Sequence, residues 1–398
     1  MKTLIELYDD RAIENVLGPE TFRPEEVIYL CPEEIARDKG IQESYGEFFR
    51  RRGLKLQTEF RECSLYRADK VADQLRRISE KKQDVALDVT GGSDAALVGA
   101  GMFCQESGAP TFTYSRRQNR FYNIANAPFA DKLSCTLSYS VEDFFAMAGG
   151  KLRPGRVDNQ VLARYMPGFD AFFRVFLKHR HSWARDISYL QRASQNQAAD
   201  APLRVDCGWE LKCGHGSHVP ANPELLSDLQ SIGYLHDLTL TEASRVSFSF
   251  ADGQIRAWLR DVGSVLELYT YKSCLKAACF EDVVCSAIVD WGSTAGKQEV
   301  SNEIDVVAAR GIKPLFISCK VCEVKTEALN ELAILRDRFG GKGASAVIVT
   351  TEPCGSAARH RAAQLGLAVI DLEEIQANRV PERLQVIMKV RESLSETD

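Results

Sequence analysis

Glu303, Asp305, Ser318 and Lys320 stand on two apolar runs, NEIDVVAA (302–309) and PLFISCK (314–320), joined by a short link containing Gly311 and Pro314. A strand period of two puts Glu303 and Asp305 on one face, with Ile304 and Val306 on the other. The same rule aligns Phe316, Ser318 and Lys320 opposite Leu315, Ile317 and Cys319. If Gly311 and Ile312 form a two-residue hairpin loop, Asp305 faces Ser318 and Glu303 faces Lys320. A loop two residues longer sets Asp305 opposite Lys320. Either register brings carboxylates and an ammonium together. Such a group can hold a hard divalent cation through carboxylate oxygens and the Cys319 carbonyl, while the lysine orients or deprotonates an attacking water. The plain alternative is a solvated cross-strand ion pair worth at most about 1 kcal/mol. The apolar neighbours, ISCKVC and AIVDW, weigh against it, because an uncompensated charge among buried strands is costly.

Glu267 lies upstream in GSVLELYTY, flanked by Val265, Leu266, Leu268 and Tyr269. An acid there is either a further metal ligand or an exposed helix glutamate.

The elements that must position these residues form a recognisable order. From residue 245 the chain reads as strand RVSFSF, a turn, a helix broken near Gly263, and strands VVCSAIV, NEIDVVAA and PLFISCK. Helix TEALNELAILRDRFG, strand ASAVIVTT, a helix over 355–366 and strand LAVIDL follow. This describes an α/β core. The first 150 residues alternate short apolar runs (27–30, 55–59, 84–89, 110–115 and 135–139) with amphipathic segments (42–52, 67–82 and 93–106), which predicts a doubly wound, parallel α/β layer structure. Three units result: 1–150, a connector over 151–244, and 245–398.

Residues 151–192 carry nine Lys/Arg against three Asp, interleaved with Tyr165, Phe169, Phe172, Phe173, Phe176 and Trp183. Stacking of bases on those rings beside a basic track is one reading. The simpler one is a helical connector that buries its aromatics and solvates its arginines. Further on, Cys207, Cys213, His215 and His218 form a C-x5-C-x-H-x2-H cluster that matches no standard zinc spacing, and a glycine-rich hairpin is the simpler expectation.

In DVALDVTGGSDAAL, Thr90, Gly91, Gly92, Ser93 and Asp94 mark the hand-over from strand to helix. Paired glycines let backbone approach a ligand closely, and free amides at a helix start favour an anion, although such turns are often only tight connections.

The composition suits a globular chain: 398 residues, 45% hydrophobic and 26% charged, with a formal charge of −5, so a polyanion must be met by a local basic surface. Acids follow the first few apolar residues, unlike a signal peptide, and no apolar run approaches a membrane span. Twelve scattered cysteines fit reduced thiols in a cytoplasm.

Glu267, Asp305 and the Ser318-Cys319-Lys320 triplet together resemble the PD-(D/E)xK restriction-endonuclease-like core. The phrases GSVLELYTY and NEIDVVAARGIKPLFISCK are similar to one branch of it, the CARF-linked, Card/Can-type ancillary nucleases of type III CRISPR systems. The resemblance implies an amino-terminal Rossmann-like CARF sensor dimerised around cyclic tetra-adenylate or a larger ring. It also implies a carboxy-terminal endonuclease using Mn²⁺ or Mg²⁺, held by Glu267 and Asp305, to cut DNA and possibly RNA in antiviral defence. Thr90-Gly91-Gly92 then matches the sensor's T-G-G motif, and Cys31, Pro32 and Glu33 its second contact region, with Arg116, Arg117 and Arg120 as candidate cations. Arg336, Arg338 and Lys342, or the basic connector, would engage the nucleic-acid backbone. Two positions depart from the pattern. Ser318 replaces the usual second acid, leaving Glu303, Glu323, Glu327 or Glu331 to substitute, and Asp94 stands where a basic residue is common. A regulator without catalysis and a resolvase needing no small-molecule trigger are the competing readings.

Overall fold

Apolar runs of four to six residues build the centre of the first sheet, and the more polar QTEFRE and RFYNIA form its two edges. The computed structural model describes residues 1–153, 159–195, 201–212, 217–241, 244–291 and 300–393. Cys213, His215, Arg156 and Asp158 lie outside them. The strands are β1 (Thr3–Leu7), β2 (Glu26–Cys31), β3 (Gln57–Glu62), β4 (Val85–Asp88), β5 (Thr111–Ser115) and β6 (Arg120–Ala125), in the order β3-β2-β1-β4-β5-β6. Neighbours are parallel except β5 and β6. The order reverses at the β1–β4 boundary, where doubly wound sheets open a crevice at their carboxyl ends. Helices Lys39–Arg51, Ala68–Lys81 and Asp94–Ser107 cover the sheet as the periodicity predicts. The run at 135–139 is not a strand. It crosses as extended chain, and the Tyr139 amide donates to the carbonyl of Gly311. The central strand is instead β1, buried at all five positions and therefore without the alternation that marks a half-buried strand.

β7 (Gly150–Arg153) leaves the first unit to pair with the second sheet. The connector follows, with helices Asn159–Tyr165, Phe169–His179 and Trp183–Ala193, then β8 (Arg204–Gly208), β9 (Glu210–Lys212), β10 (His218–Pro220), β11 (Leu235–Thr241) and β12 (Arg245–Phe250). Phe169, Phe172, Phe173, Phe176 and Trp183 are all buried, so the aromatics build core and are not a stacking platform. β9 and β10 pair antiparallel on either side of residues 213–216, as in a hairpin.

The second sheet adds β13 (Asp282–Trp291), β14 (Val300–Arg310), β15 (Lys313–Lys320), β16 (Ser345–Thr350) and β17 (Ala368–Ile370) in the order β17-β16-β15-β14-β13-β7. Arg310 pairs with Lys313 around Gly311, at φ 54°, and Ile312, which is the shorter hairpin register. One face of this sheet (Val289, Val307, Phe316) joins the core of the first unit. The other (Val306, Leu315, Ile317) joins a core shared with the connector and helix Ser264–Ala277. The fold is mixed α/β, and among the described residues no helix is long and apolar enough to cross a membrane.

Helix Thr326–Gly340 ends where a Cβ on Gly340 would stand 2.2 Å from the Cβ of Ala344 and 2.9 Å from Phe316 Cε2. Helix propensity alone makes Gly340→Ala stabilising by up to about 1 kcal/mol. The contacts predict the opposite, a loss of about 1–3 kcal/mol in urea unfolding, and a raised midpoint would refute that packing.

Candidate active site and sensor cavity

The site forms where two strands part. β14 and β15 stay in register only as far as Val306–Ile317, and beyond that pair the Asp305 carboxylate fills the gap. Its Oδ2 accepts the Cys319 amide at 2.6 Å and the Ser318 hydroxyl at 3.3 Å. Strict alternation also fails here. Ile304 and Val306, expected on one face, enter different cores. The cause sits opposite on β13, where Ser286 adopts φ 53° between the paired positions Cys285–Val306 and Ala287–Ile304. A left-handed non-glycine residue inside a strand is strained and re-aims its neighbours. The Ser286 hydroxyl donates to Glu267 Oε2 at 3.3 Å.

Helix Ser264–Ala277 brings Glu267 to the same point, with Val265, Leu266 and Leu268 buried around it. Burial, followed by the charges of Asp305, Asp261 and Glu303, pushes the Glu267 carboxyl up to about 8. Asp305 is also raised by burial, against the pull of the Cys319 amide, Lys320 and Ser318. Lys320 is half-buried at the end of β15, and its charge favours the ionised form of Asp305. Asp305 thus links the two: its charge acts on Glu267, and the charge of Lys320 acts on it. Glu303 is exposed, and of the acids on helix Thr326–Gly340 it is Glu331 whose charge acts on Asp305. Two desolvated carboxylates, one of which raises the proton affinity of the other, are a donor set that fits Mn²⁺ or Mg²⁺. Cys319, expected to contribute its carbonyl, meets the site through its amide, while its thiol contacts the Thr270 hydroxyl at 3.4 Å. A cavity of about 320 Å³ opens beside Glu267, with Gln191, Gln254 and Arg260 in its wall. Ser286 and Asp261 escape the sequence reading, although Ser286 is the lone hydroxyl in an otherwise apolar strand core.

At the first sheet, Asp88 organises the glycine turn. Its Oδ1 accepts the Thr90 amide at 2.8 Å and the Thr90 hydroxyl, and Thr90 Oγ1 accepts the Tyr114 amide at 2.8 Å. A Cβ on Gly91 would stand 2.6 Å from the Leu7 carbonyl, and Gly92 has φ 91°, so both glycines are demanded by the end of β1. Ser93 caps helix Asp94–Ser107 by accepting the Ala96 amide at 3.2 Å. Asp94 opens that helix.

A cavity of about 730 Å³ lies at the carboxyl ends of β1, β2 and β4, lined among others by Pro32, Gly92 and Ser93, and by Tyr8 to Arg11. Cys31 is buried at the end of β2, and Glu33 pairs with Arg37. Arg116 pairs with Glu14, with Gly343 beside it, and feels the charges of Arg11 and Asp9, which line the cavity. Of the Cys/His cluster, the Cys207 sulfur lies 3.3 Å from the Tyr189 hydroxyl. A different trio, His179, Glu224 and Asp228, clusters in the connector. Lys178 already binds both its carboxylates, at 2.9 and 2.8 Å, as an ion-paired surface group does.

No family model matches the chain, and no curated protein matches it. Solved structures do. Protein VC1899 from Vibrio cholerae is similar over 98% of this chain and 98% of its own, with a TM-score of 0.74 at 18% identity. Can2 from Sulfobacillus thermosulfidooxidans, in complex with cyclic tetra-adenylate, is similar over 98% and 99%, with a TM-score of 0.70 at 17% identity. The chain therefore has the fold of these two proteins along its whole length.

In EDTA, unfolded Glu267 ionises near 4.5 and the folded residue near 8. The unfolded state binds fewer protons between these values, so stability falls as pH rises through that window. Glu267→Gln should flatten the fall and melt above the parent protein at about pH 8.5. Equal pH slopes in the two proteins would contradict the assignment.

Proposed function

We propose that the chain is a cyclic oligoadenylate-activated, metal-dependent endonuclease, with 1–150 as sensor, 151–244 as connector and 245–398 as nuclease. The observation that carries this reading is the meeting of Glu267, Asp305 and Lys320 where β14 and β15 part, in a chain with the fold of a protein that binds cyclic tetra-adenylate.

Glu267 and Asp305 hold Mn²⁺ or Mg²⁺, which when bound supplies Lewis acidity at a phosphodiester oxygen. The Ser318 hydroxyl and Cys319 amide fix the Asp305 carboxylate, so that its orientation costs nothing during reaction. Ser318 therefore serves as a positioning residue where other sequences place an acid. The Lys320 ammonium orients the attacking water for in-line displacement. Arg260 stands in the cavity wall beside Glu267 with its Nε buried and unpartnered, which suits a phosphate of DNA or RNA.

On the sensor, the cavity at the strand ends takes cyclic tetra-adenylate beside the turns Thr90 to Asp94 and Cys31 to Glu33, from which Gly92, Ser93 and Pro32 line it. Helix Asp94–Ser107 exposes Leu97, Val98 and Met102, an apolar stripe that suits the two-fold contact of a homodimer. Binding across that axis biases the arrangement in which the nuclease sites accept substrate.

Purified protein incubated with supercoiled plasmid and Mn²⁺ should nick it only when cyclic tetra-adenylate is added, and Lys320→Ala should lower the rate by about 10²-fold or more. Cleavage regardless of ligand supports a resolvase; none under any condition supports a non-catalytic regulator. Leu97→Asp should convert the dimer to monomer in light scattering, and an unchanged mass would remove helix Asp94–Ser107 from the interface.

A further inference from the structure

The sequence groups Arg338 with the nucleic-acid contacts, whereas the structure sets it in the wall of the sensor cavity, with Asp337 and Gly341 beside it. The cavity is thus built from both sheets: the turn after β1 supplies Arg11, and the end of helix Thr326–Gly340 supplies Arg338. Two carboxylates of the lining are already engaged. Asp9 accepts the Arg11 amide at 2.9 Å and lies 3.6 Å from its guanidinium, and Asp337 lies 2.7 Å from the Arg336 guanidinium. Arg338 itself is partly buried in that wall, and burial lowers its proton affinity.

The helix that presents Arg338 follows directly from the strand that ends at Lys320. Glu331 lies seven residues before Arg338, two turns away on the same stripe and about 11 Å along the axis. Its charge acts on Asp305. The far end of the helix is held: Gly341 has φ 62°, and a Cβ there would stand 3.1 Å from Ile13 Cγ2 and 3.7 Å from Arg11 Cβ. One rigid element therefore runs from the carboxylate site to the sensor cavity within a single chain.

We infer that Arg338 is a ligand-contact residue donated to the sensor cavity by the nuclease unit. Its partner is a phosphodiester of the bound cyclic oligonucleotide, and helix Thr326–Gly340 carries the occupied state to Asp305. This rests on the reading of the cavity as a cyclic oligoadenylate site. A bidentate guanidinium contact is strong and directional, and a lysine keeps the charge without the fork.

The test uses the full-length protein, labelled cyclic tetra-adenylate for binding, and Mn²⁺-dependent plasmid nicking at saturating ligand. Arg338→Ala should weaken binding by about 10- to 100-fold and remove most of the stimulation even when saturated. Arg338→Lys should bind several-fold more weakly than the parent and respond in part, and it decides the matter if the alanine variant melts abnormally. Parental affinity in the folded variants, or parental stimulation at saturation, overturns the inference. Should the unaltered protein neither bind the ligand nor respond to it, the cavity assignment itself fails and the inference falls with it. A parent that binds and responds, beside an Arg338→Ala variant that does the same, sinks the inference alone.

Discussion

The Cys319 amide donating to the Asp305 carboxylate at 2.6 Å is the contact on which the architecture of the candidate site depends. A strand amide that loses its partner where two strands separate must be satisfied or pay the cost of burial. Here a side chain from the departing strand meets that need, and in doing so it is fixed between a helix glutamate and a strand lysine. The separation of β14 from β15 both creates the demand and makes the room.

The acids gathered there are poorly matched to one another without a counter-charge. Burial and the charge of Asp305 both drive Glu267 toward its neutral form, so ionising it costs the folded protein stability. Ser286 adds backbone strain at the same place, and the surrounding β13–β14 pairing is long enough to enforce it. Strain and desolvated charge concentrated at one point of an otherwise regular sheet are what a site bears and a structural core avoids.

Much of this was legible beforehand where a local rule decided it. The hairpin at Gly311 is plain in the sequence, which admits two registers, and the structure takes the shorter; the flanks of Glu267 admit a ligand or an exposed helix glutamate, and the structure half-buries it. Rules of period fail where the backbone leaves the period: nothing in VVCSAIV announces the left-handed Ser286, so the parting of Ile304 and Val306 into two cores was hidden. A strand buried on both faces shows no alternation, which hides β1, and the composition of 135–139 is that of a strand although the chain there forms none. The aromatics of the connector followed the simpler expectation and packed inward. Arg338 shows the remaining gap, since which surface a cation serves depends on contacts between units distant in sequence.

The second sheet acts as a shared wall, with one core on each side and β7 contributed from the amino-terminal part. Such a partition has no clean seam, and severing it would strip apolar cladding from whichever fragment kept the strands. Recombination that swaps one unit for another is accordingly difficult in this architecture, and descent would favour transmitting the polypeptide entire. The likenesses that extend over 98% of its length accord with that constraint.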